Sequence, residues 1–241
     1  MLYYKQIGET SKQFSDRIKN EMLVQKVCLC GKLDPMARGY TNILIDKDTK
    51  KMPLYLSSDK EYEFYIVLGI STDSDDILGN ISDCKQKIDE HDISTVLNYM
   101  NNLTYVKTQK FHHYSAIHLK KGTVNKPLWY WYKQGNLLDD EIPSKNVYVD
   151  NVEYIDQLVL DLKQYRRIVL DNLNKVTDPN FYSDAIITSW ENFNKISKVI
   201  LLKYKTRVSS GFYIRMIAKD LKSKGIKCHI YDIYRTNIFE K

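Results

Sequence analysis

The apolar residues of the chain recur at two spacings, one typical of helices and one typical of strands. Apolar side chains fall on every fourth position from Phe14 to Met22, which predicts an amphipathic helix over residues 11–24. From Tyr62 to Leu68 every second residue is apolar, which predicts a long strand. Shorter patterns predict strands at 26–30, 40–45, 112–119, 199–205 and 226–234, and helices at 83–100, 127–133 and 212–222.

A second helical pattern covers residues 152–197. Apolar residues lie three or four positions apart from Leu158 to Val169, and an Asp-Pro turn at 178–179 divides the segment into two helices. Strands and helices are interspersed without a regular βαβ repeat, and no shift in composition marks a linker. We therefore predict a single α+β domain over residues 1–241 that contains insertions.

Composition and charge exclude several classes of protein. Of 241 residues, 43% are hydrophobic and 27% are charged, which is the balance of a globular domain. No window approaches the about 18 apolar residues that span a bilayer, and the N-terminus lacks a signal-peptide pattern. Four cysteines do not make a disulfide framework at this length, so we expect a reducing, cytoplasmic compartment. The net charge of +6 favours nucleic-acid binding only slightly.

The nine residues from Gly31 to Gly39 carry the clearest chemical pattern. They read Gly-Lys-Leu-Asp-Pro-Met-Ala-Arg-Gly, and the proline restricts the preceding Asp34 to extended conformations. A carboxylate presented from such a stiff loop suits a nucleophile or an acid–base group. The same residues also fit a surface turn with a capping Asp, which is the commoner case for this pattern.

Patterns for metal and nucleotide sites are incomplete. A calcium loop that starts at Asp73 needs a glycine at its sixth position and a carboxylate at its twelfth, where the chain has Leu78 and Cys84. Adjacent residues of a strand point to opposite faces, so the three histidines His112, His113 and His118 are not expected to converge on one metal ion. The sequence also lacks a Walker loop, a dinucleotide-binding fingerprint and a nucleophile-elbow serine. We expect neither a metal nor a cofactor.

Six segments, in order along the chain, resemble motifs of the TruB family of tRNA pseudouridine synthases. Residues 31–39 match every fixed position of the family's G-x-L-D-P-x-A-x-G loop. Residues 60–79 resemble its K-x-Y and L-G-x-x-T-D-x-x-D-x-x-G elements, and 211–215 resembles G-T-Y-I-R. The others are 5–11 (K-P-x-G-x-T-S without the proline), 114–117 (Y-S-A) and 128–135 (L-Y-x-Y-A-R-x-G), with a fainter echo of L-R-R-T at 233–236.

Several substitutions depart from these motifs. Leu29 stands where the family has a histidine that helps to hold the rearranged RNA loop, and Cys30 stands where it has threonine. His118 replaces the lysine of Y-S-A-x-K, and Lys133 replaces the arginine of A-R-x-G. Residues 152–197 resemble an insertion of two helices, and we expect the catalytic domain alone, without the family's PUA domain.

The resemblance implies an α+β pseudouridine synthase fold, with a mixed, largely antiparallel central sheet flanked by helices and loops around a catalytic cleft. It implies an isomerase that acts on a flipped-out uridine. Asp34 would be the essential carboxylate, which either attacks C1′ or abstracts the 2′ proton. Tyr62 would stack on the base and help to remove the C5 proton, and Arg215 would pair with Asp34 and fix its orientation. Six residues are implied in substrate binding: Lys5, Leu29, Lys32, Tyr114, Tyr213 and Ile233.

One of these implications is a geometric prediction. Asp34 and Arg215 lie far apart in the sequence, and nothing local pairs them. We predict that their side chains meet at salt-bridge distance, within about 4 Å.

The resemblance implies a structured RNA as partner, in the first place position 55 in the T-arm loop of tRNA. It implies a monomer without an obligate protein partner, and no membrane. Three alternatives remain: a synthase that acts on mRNA or other structured RNA, a non-catalytic RNA-binding or RNA-folding module, and a two-carboxylate glycoside hydrolase, for which no second carboxylate can be identified. The basic residues of 152–197 either touch the acceptor stem or form a solvated helix face: Lys163, Arg166, Arg167 and Lys175.

Overall fold

A mixed sheet forms the centre of the computed structural model, which describes residues 1–103 and 106–239. In these ranges the strands are β1 (Leu2–Lys5), β2 (Val27–Cys30), β3 (Ala37–Ile45), β4 (Asp59–Leu68), β5 (Ile70–Thr72), β6 (Ile81–Cys84), β7 (Val106–Lys110), β8 (His118–Lys121), β9 (Val124–Pro127), β10 (Ser144–Asp161), β11 (Lys198–Val208) and β12 (Cys228–Phe239). The helices are α1 (Ser11–Met22), α2 (Met52–Leu56), α3 (Glu90–Asn101), α4 (Leu128–Lys133), α5 (Leu162–Leu173), α6 (Asp184–Glu191) and α7 (Arg215–Ser223).

Neighbouring strands of the central sheet follow the order β1–β3–β12–β4–β11–β10–β7, and β2 also pairs with β3. Among the described residues, β3 and β12 run parallel and every other pair of this sheet runs antiparallel. The hairpins β5–β6 and β8–β9 stand beside it. This topology confirms the predicted α+β fold with a mixed, largely antiparallel sheet.

The side chains of β4 alternate between two hydrophobic cores. Tyr62, Phe64, Ile66 and Leu68 lie in one core, together with residues of α3 and α7. Val67 lies in a second core that contains residues of α5 and α6. Because successive side chains of a strand point to opposite faces, helices cover both sides of the sheet at β4.

Helix α1 has the start and the buried face that its sequence predicts. The Thr10 hydroxyl accepts a hydrogen bond from Gln13 N at 3.2 Å, and the Gln13 side chain accepts one from Thr10 N at 2.9 Å. This capping box satisfies backbone donors that the first turn leaves unpaired. Phe14 and Ile18 pack with Ile43 of β3 in a small third core.

Residues 152–161 are extended and not helical, which corrects the prediction for this segment. They form the second part of β10 and pair with β11, with Val159 opposite Ile200. The helix begins only after Asp161, whose carboxylate accepts a hydrogen bond from Gln164 N at 2.8 Å. The apolar spacing that predicted a helix therefore continues across a boundary between a strand and a helix.

Two other element predictions are wrong in part. Helix α3 begins at Glu90, because residues 81–84 pair with β5 and Asp89 caps the helix. Residues 112–117 form turns between β7 and β8, and the rings of His112 and His113 stack with centroids 4.3 Å apart. The expectation that these histidines point to opposite faces of a strand is therefore wrong.

The helices that follow β10 cover one face of the sheet. Leu162, Tyr165, Val169 and Trp190 are buried in the same core as Val67 of β4. The segment therefore contributes to the second hydrophobic core. In the part of the chain that the structure describes, no helix is both long and apolar enough to cross a membrane.

Candidate active site

The loop that carries Asp34 connects β2 to β3 and is held by hydrogen bonds to its backbone. Gly8 N donates to Pro35 O at 2.8 Å. The Lys5 ammonium donates to Ala37 O at 2.7 Å and to Pro35 O at 3.4 Å. Because donors from β1 and the turn after it fix these carbonyls, the loop presents the Asp34 carboxyl from a rigid support.

The Arg215 side chain, at the first turn of α7, meets Asp34. Its Nε and Nη2 lie 2.9 and 2.7 Å from Asp34 Oδ2. The Arg215 side chain is 4% exposed and the Asp34 side chain is 31% exposed, so the carboxyl faces open space while the guanidinium is enclosed. This contact confirms the predicted ion pair. Charge-assisted bonds of this kind are strong and directional.

Asp76 brings a second carboxylate near the Nε of Arg215, the nitrogen that also bonds to Asp34. Its Oδ2 lies 3.7 Å from Arg215 Nε, and its Oδ1 accepts hydrogen bonds from Ser74 Oγ at 2.6 Å and Leu78 N at 2.9 Å. Burial raises the pKa of Asp76 to about 6, against the charge of Arg215 and the bond from Ser74. Two carboxyls therefore lie near the guanidinium, and of these Asp34 lines the cleft while Asp76 is buried.

A cleft of about 680 Å³ opens beside Asp34. Tyr62, Phe212 and Ile233 give it an apolar wall. Among the described residues that line it, Asp34 is the only carboxylate, and five side chains are cationic: Lys32, Lys60, Lys145, Arg215 and Arg235. This lining suits a ligand that combines a flat apolar part with negative charge.

Two of these cations are fixed by backbone carbonyls. Arg235 Nε donates to Tyr40 O at 2.6 Å, and its Nη2 donates to Gly31 O at 3.0 Å. Lys60 Nζ donates to Ser58 O at 2.5 Å. Burial, with the nearby charge of Arg235, lowers the pKa of Lys60 to about 8. These groups give the cleft a positive field while their side chains stay in place.

A second cavity of about 360 Å³ also has Asp34 and Arg215 in its lining. Tyr114, Trp129 and Phe181 supply aromatic walls. The ion pair therefore lies where it can be reached from two cavities.

The sequence profile of the TruB family pseudouridylate synthases, N-terminal domain, matches residues 19–164, more than half of the chain. The chain belongs to the TruB family. The matched stretch contains the loop with Asp34 and the strand with Tyr62, and Arg215 lies beyond it.

Curated proteins named tRNA pseudouridine synthase B are similar to this TruB-family chain. The protein from Syntrophus aciditrophicus is 31% identical over 146 residues, which are 60% of this chain and 44% of that protein. The protein from Acholeplasma laidlawii is 29% identical over 91% of this chain and 61% of its own length. The protein from Mycoplasma capricolum is 29% identical over 95% of this chain and 74% of its own length. The chain thus spans about half the length of the first two of these relatives.

Solved structures support the fold assignment of this TruB-family chain. A chain of a Cbf5–Nop10–Gar1 complex superposes with a TM-score of 0.55 at 16% identity, over 99% of this chain and 48% of that one. A chain of an H/ACA RNP bound to a substrate RNA containing 2′-deoxyuridine superposes with a TM-score of 0.52 at 14% identity, over 97% and 45%. At these identities the likeness shows the fold alone.

In this TruB-family chain, most of the predicted site residues lie at the cleft. Leu29, Lys32, Tyr62, Tyr213 and Ile233 all line it. Tyr62 is 8% exposed and so presents only part of its ring to the cleft. Burial, with the charge of Asp34, raises the pKa of Tyr213 to about 12, so its hydroxyl stays protonated at neutral pH.

Two predicted substrate-binding residues lie elsewhere. Tyr114 lines the second cavity. Lys5 is 1% exposed beneath the Asp34 loop, where its ammonium bonds to backbone carbonyls. Its side chain holds the loop from within the protein, and it lines neither of the two cavities.

Three cations of the cleft were not among the predicted site residues. Lys60 and Arg235 stand within the segments 60–79 and 233–236 that resemble family motifs, which is a signal that could have identified them. Lys145 lies in β10, outside every motif, and only the folded chain brings it to the cleft.

The basic residues of the predicted insertion are divided between two environments. Arg166 Nη1 donates to Glu191 O and Phe193 O, both at 2.9 Å. Lys163 and Arg167 are exposed on α5.

The described residues contain no group of three or more His, Cys, Asp or Glu side chains that could hold a metal ion.

Proposed function

We propose that this chain is an RNA pseudouridine synthase, an isomerase that converts a flipped-out uridine to pseudouridine. The observation that carries the proposal is the Asp34 carboxylate, oriented by Arg215 in a cationic cleft beside Tyr62. The names of the similar proteins and the shared family support the same reaction.

The product has the same composition as uridine, because the C5 hydrogen that is lost is balanced by one gained at N1. The N1–C1′ glycosidic bond breaks, the base rotates, a C5–C1′ bond forms, and the C5 proton is lost while N1 gains a proton. Asp34 acts on the sugar, either by attacking C1′ or by abstracting the 2′ proton. Arg215 holds the carboxylate in the orientation that either step needs, because two of its N–H groups face one oxygen of Asp34.

Tyr62 gives the extruded base a surface to stack on. Its ring lines the cleft with Asp34, and Ile233 lines the same cleft. Unpairing the target base costs a few kcal/mol, roughly, and stacking in the pocket offsets part of this cost. Tyr62 also helps to remove the C5 proton.

The proposed substrate is position 55 in the T-arm loop of tRNA. The similar curated proteins carry the name tRNA pseudouridine synthase B, and the lining cations suit a folded RNA backbone. Leu29 lines the cleft where the family has a histidine, so we expect contacts with the RNA loop to differ at this point.

Release of tritium from C5-labelled uridine in a tRNA transcript tests the proposal. We expect the full chain to release it and Asp34→Asn to lose at least about a thousandfold in rate, since the amide keeps the shape but removes the reacting charge. The matched control is Asp16→Asn, which changes an aspartate that is 50% exposed on α1.

A transcript with cytidine in place of the uridine at position 55 controls for the site. Retained release from that transcript would contradict the T-arm assignment. A wild-type chain that binds tRNA but releases no tritium from it, or from other labelled structured RNAs, would indicate a non-catalytic RNA-binding module.

A further inference from the structure

The two edges of the Arg215 guanidinium make different contacts. Nε and Nη2 face Asp34 Oδ2, whereas Nη1 donates to Ser74 O at 3.1 Å and lies 3.2 Å from His112 Nδ1. Arg215 is 3% exposed and His112 is fully buried. A guanidinium has only N–H donors, so His112 Nδ1 must be the acceptor in this contact.

A second donor points at the same nitrogen of His112. Tyr114 N donates to His112 Nδ1 at 3.1 Å. With two N–H groups directed at Nδ1, the ring proton lies on Nε2, which donates to Asp75 Oδ2 at 2.9 Å. The hydrogen bonds therefore select one neutral tautomer of His112.

Asp75 is held in turn by the same helix that carries Arg215. Its Oδ1 forms an ion pair with Lys222, near the C-terminal end of α7. The Asp75 backbone has a positive φ of 62°, which is strained for a residue other than glycine, and its carbonyl accepts a hydrogen bond from Ile230 N at 2.9 Å. Arg215, His112, Asp75 and Lys222 thus form a chain of contacts that starts and ends on α7.

We infer that His112, oriented by Asp75, is a positioning residue that fixes the Arg215 guanidinium and through it the Asp34 carboxylate. The inference rests on the proposed function. His112 lines neither cavity, so it acts through Arg215 and does not touch the substrate. Asp75 stands at a variable position of the L-G-x-x-T-D-x-x-D-x-x-G motif and His112 precedes the Y-S-A segment, so both lie outside the fixed motif positions.

The surroundings of His112 keep its Nδ1 unprotonated, so this nitrogen can accept hydrogen bonds. Burial lowers the pKa of His112 well below its usual value, and the positive charge of Arg215 acts in the same direction, with smaller effects from His113, Lys219 and Lys222. A protonated ring would point a donor at Arg215, so the neutral form is the one that can hold it.

The test compares three variants in the tritium-release assay. His112→Phe keeps a ring but removes both nitrogens, and we expect kcat to fall about tenfold with KM within about twofold of wild type. His112→Asn places an oxygen near the position of Nδ1, and we expect it to recover most of the lost kcat. The matched control is His113→Phe, because His113 stacks on His112 but bonds to Asp73 O and not to Arg215; we expect wild-type kinetics.

A second measurement does not depend on catalysis. Nitrogen-15 NMR of the histidine rings in the wild-type chain should show His112 as the neutral tautomer protonated at Nε2, unchanged between pH 8 and pH 5. Protonation at Nδ1 would overturn the inference, as would full kcat in a folded His112→Phe.

If His112→Phe does not fold, the kcat of His112→Asn and the tautomer measured by NMR decide whether His112 positions Arg215. An inactive wild-type chain with the expected tautomer would count against the proposed function and not against the geometry. An active wild type whose kcat falls equally in the His112→Phe and His113→Phe variants would overturn the positioning role alone.

Discussion

Lys5 has a role that its charge alone does not predict. Its ammonium donates to the carbonyls of Pro35 and Ala37, which closely follow Asp34 in the chain. Burial lowers the pKa of Lys5 to about 7, against the nearby charges of Glu9 and Asp34. We propose that Lys5 supports the loop and does not contact RNA.

The titration of Lys5 predicts how the stability of the chain depends on pH. Between about pH 7 and pH 10.5 the folded state holds Lys5 neutral while the unfolded state protonates it, so the unfolded state binds more protons and stability rises with pH. We expect the free energy of unfolding of wild type, minus that of Lys5→Met, to rise by about 1.4 kcal/mol per pH unit above pH 7 and to stay flat below pH 6. Urea unfolding at pH 6, 8 and 9 measures this difference.

Lys12→Met is the control for this experiment, since Lys12 is an exposed lysine on α1. We expect the difference in the free energy of unfolding between wild type and Lys12→Met to be constant with pH. A Lys5→Met difference that is also constant from pH 6 to pH 9 would show that Lys5 keeps its charge in the fold.

At the scale of elements, the parallel pairing of β3 with β12 depends on Gly39. Gly39 has a φ of +122°, and a Cβ at this position would lie 2.8 Å from Arg235 N and 2.9 Å from Arg235 C. Arg235 is its register partner on β12. The close approach lets the strand after the Asp34 loop enter the sheet beside Ile233, which lines the cleft.

Gly39→Ala should therefore lower the free energy of unfolding by about 3 kcal/mol, because backbone strain and a clash with the neighbouring strand add. The matched control is Gly122→Ala in the β8–β9 turn, where φ is +58° and no atom lies within 4 Å of the added Cβ. We expect that variant to cost about 1 kcal/mol, from strain alone. Equal losses in denaturant unfolding would rule out the close approach as the cause.

A helix or strand was predictable from the sequence where a single apolar period extends over the whole element. The period of two in β4 and the period near four in α1 each reflect a face that is buried along the whole element. The helix prediction for residues 152–161 is wrong because this part of β10 is mostly exposed and carries apolar side chains whose spacing continues into α5. Pairing with β11, which is distant in sequence, decides this conformation.

At the scale of the whole molecule, the net charge of +6 is less informative than where the positive charges lie. The cationic side chains of the cleft come from the Asp34 loop, β4, β10, α7 and β12: Lys32, Lys60, Lys145, Arg215 and Arg235. Folding concentrates them around one carboxylate, so the cleft attracts phosphates more strongly than the average surface does.

Salt dependence tests this concentration of charge. We expect Lys145→Gln to weaken tRNA binding and to reduce the slope of log affinity against log salt by about 0.7–0.9, the value for one lost phosphate contact. The matched control is Lys224→Gln at the end of α7, a lysine that lines neither cavity, for which the slope should not change. Filter binding at several salt concentrations measures both, and equal slopes in the two variants would contradict the role of the cleft.

The sequence by itself determined the resemblance to the TruB family, and that resemblance implied the largely antiparallel α+β architecture and the Asp34–Arg215 contact. The resemblance rests on local patterns, among them an Asp-Pro between glycines and a short motif that ends at Arg215. Tertiary structure decided the extended conformation of 152–161, the burial of Lys5, the position of Lys145 and the contact of His112 with Arg215. Each of these depends on partners distant in the sequence, whose approach and desolvation no local pattern encodes.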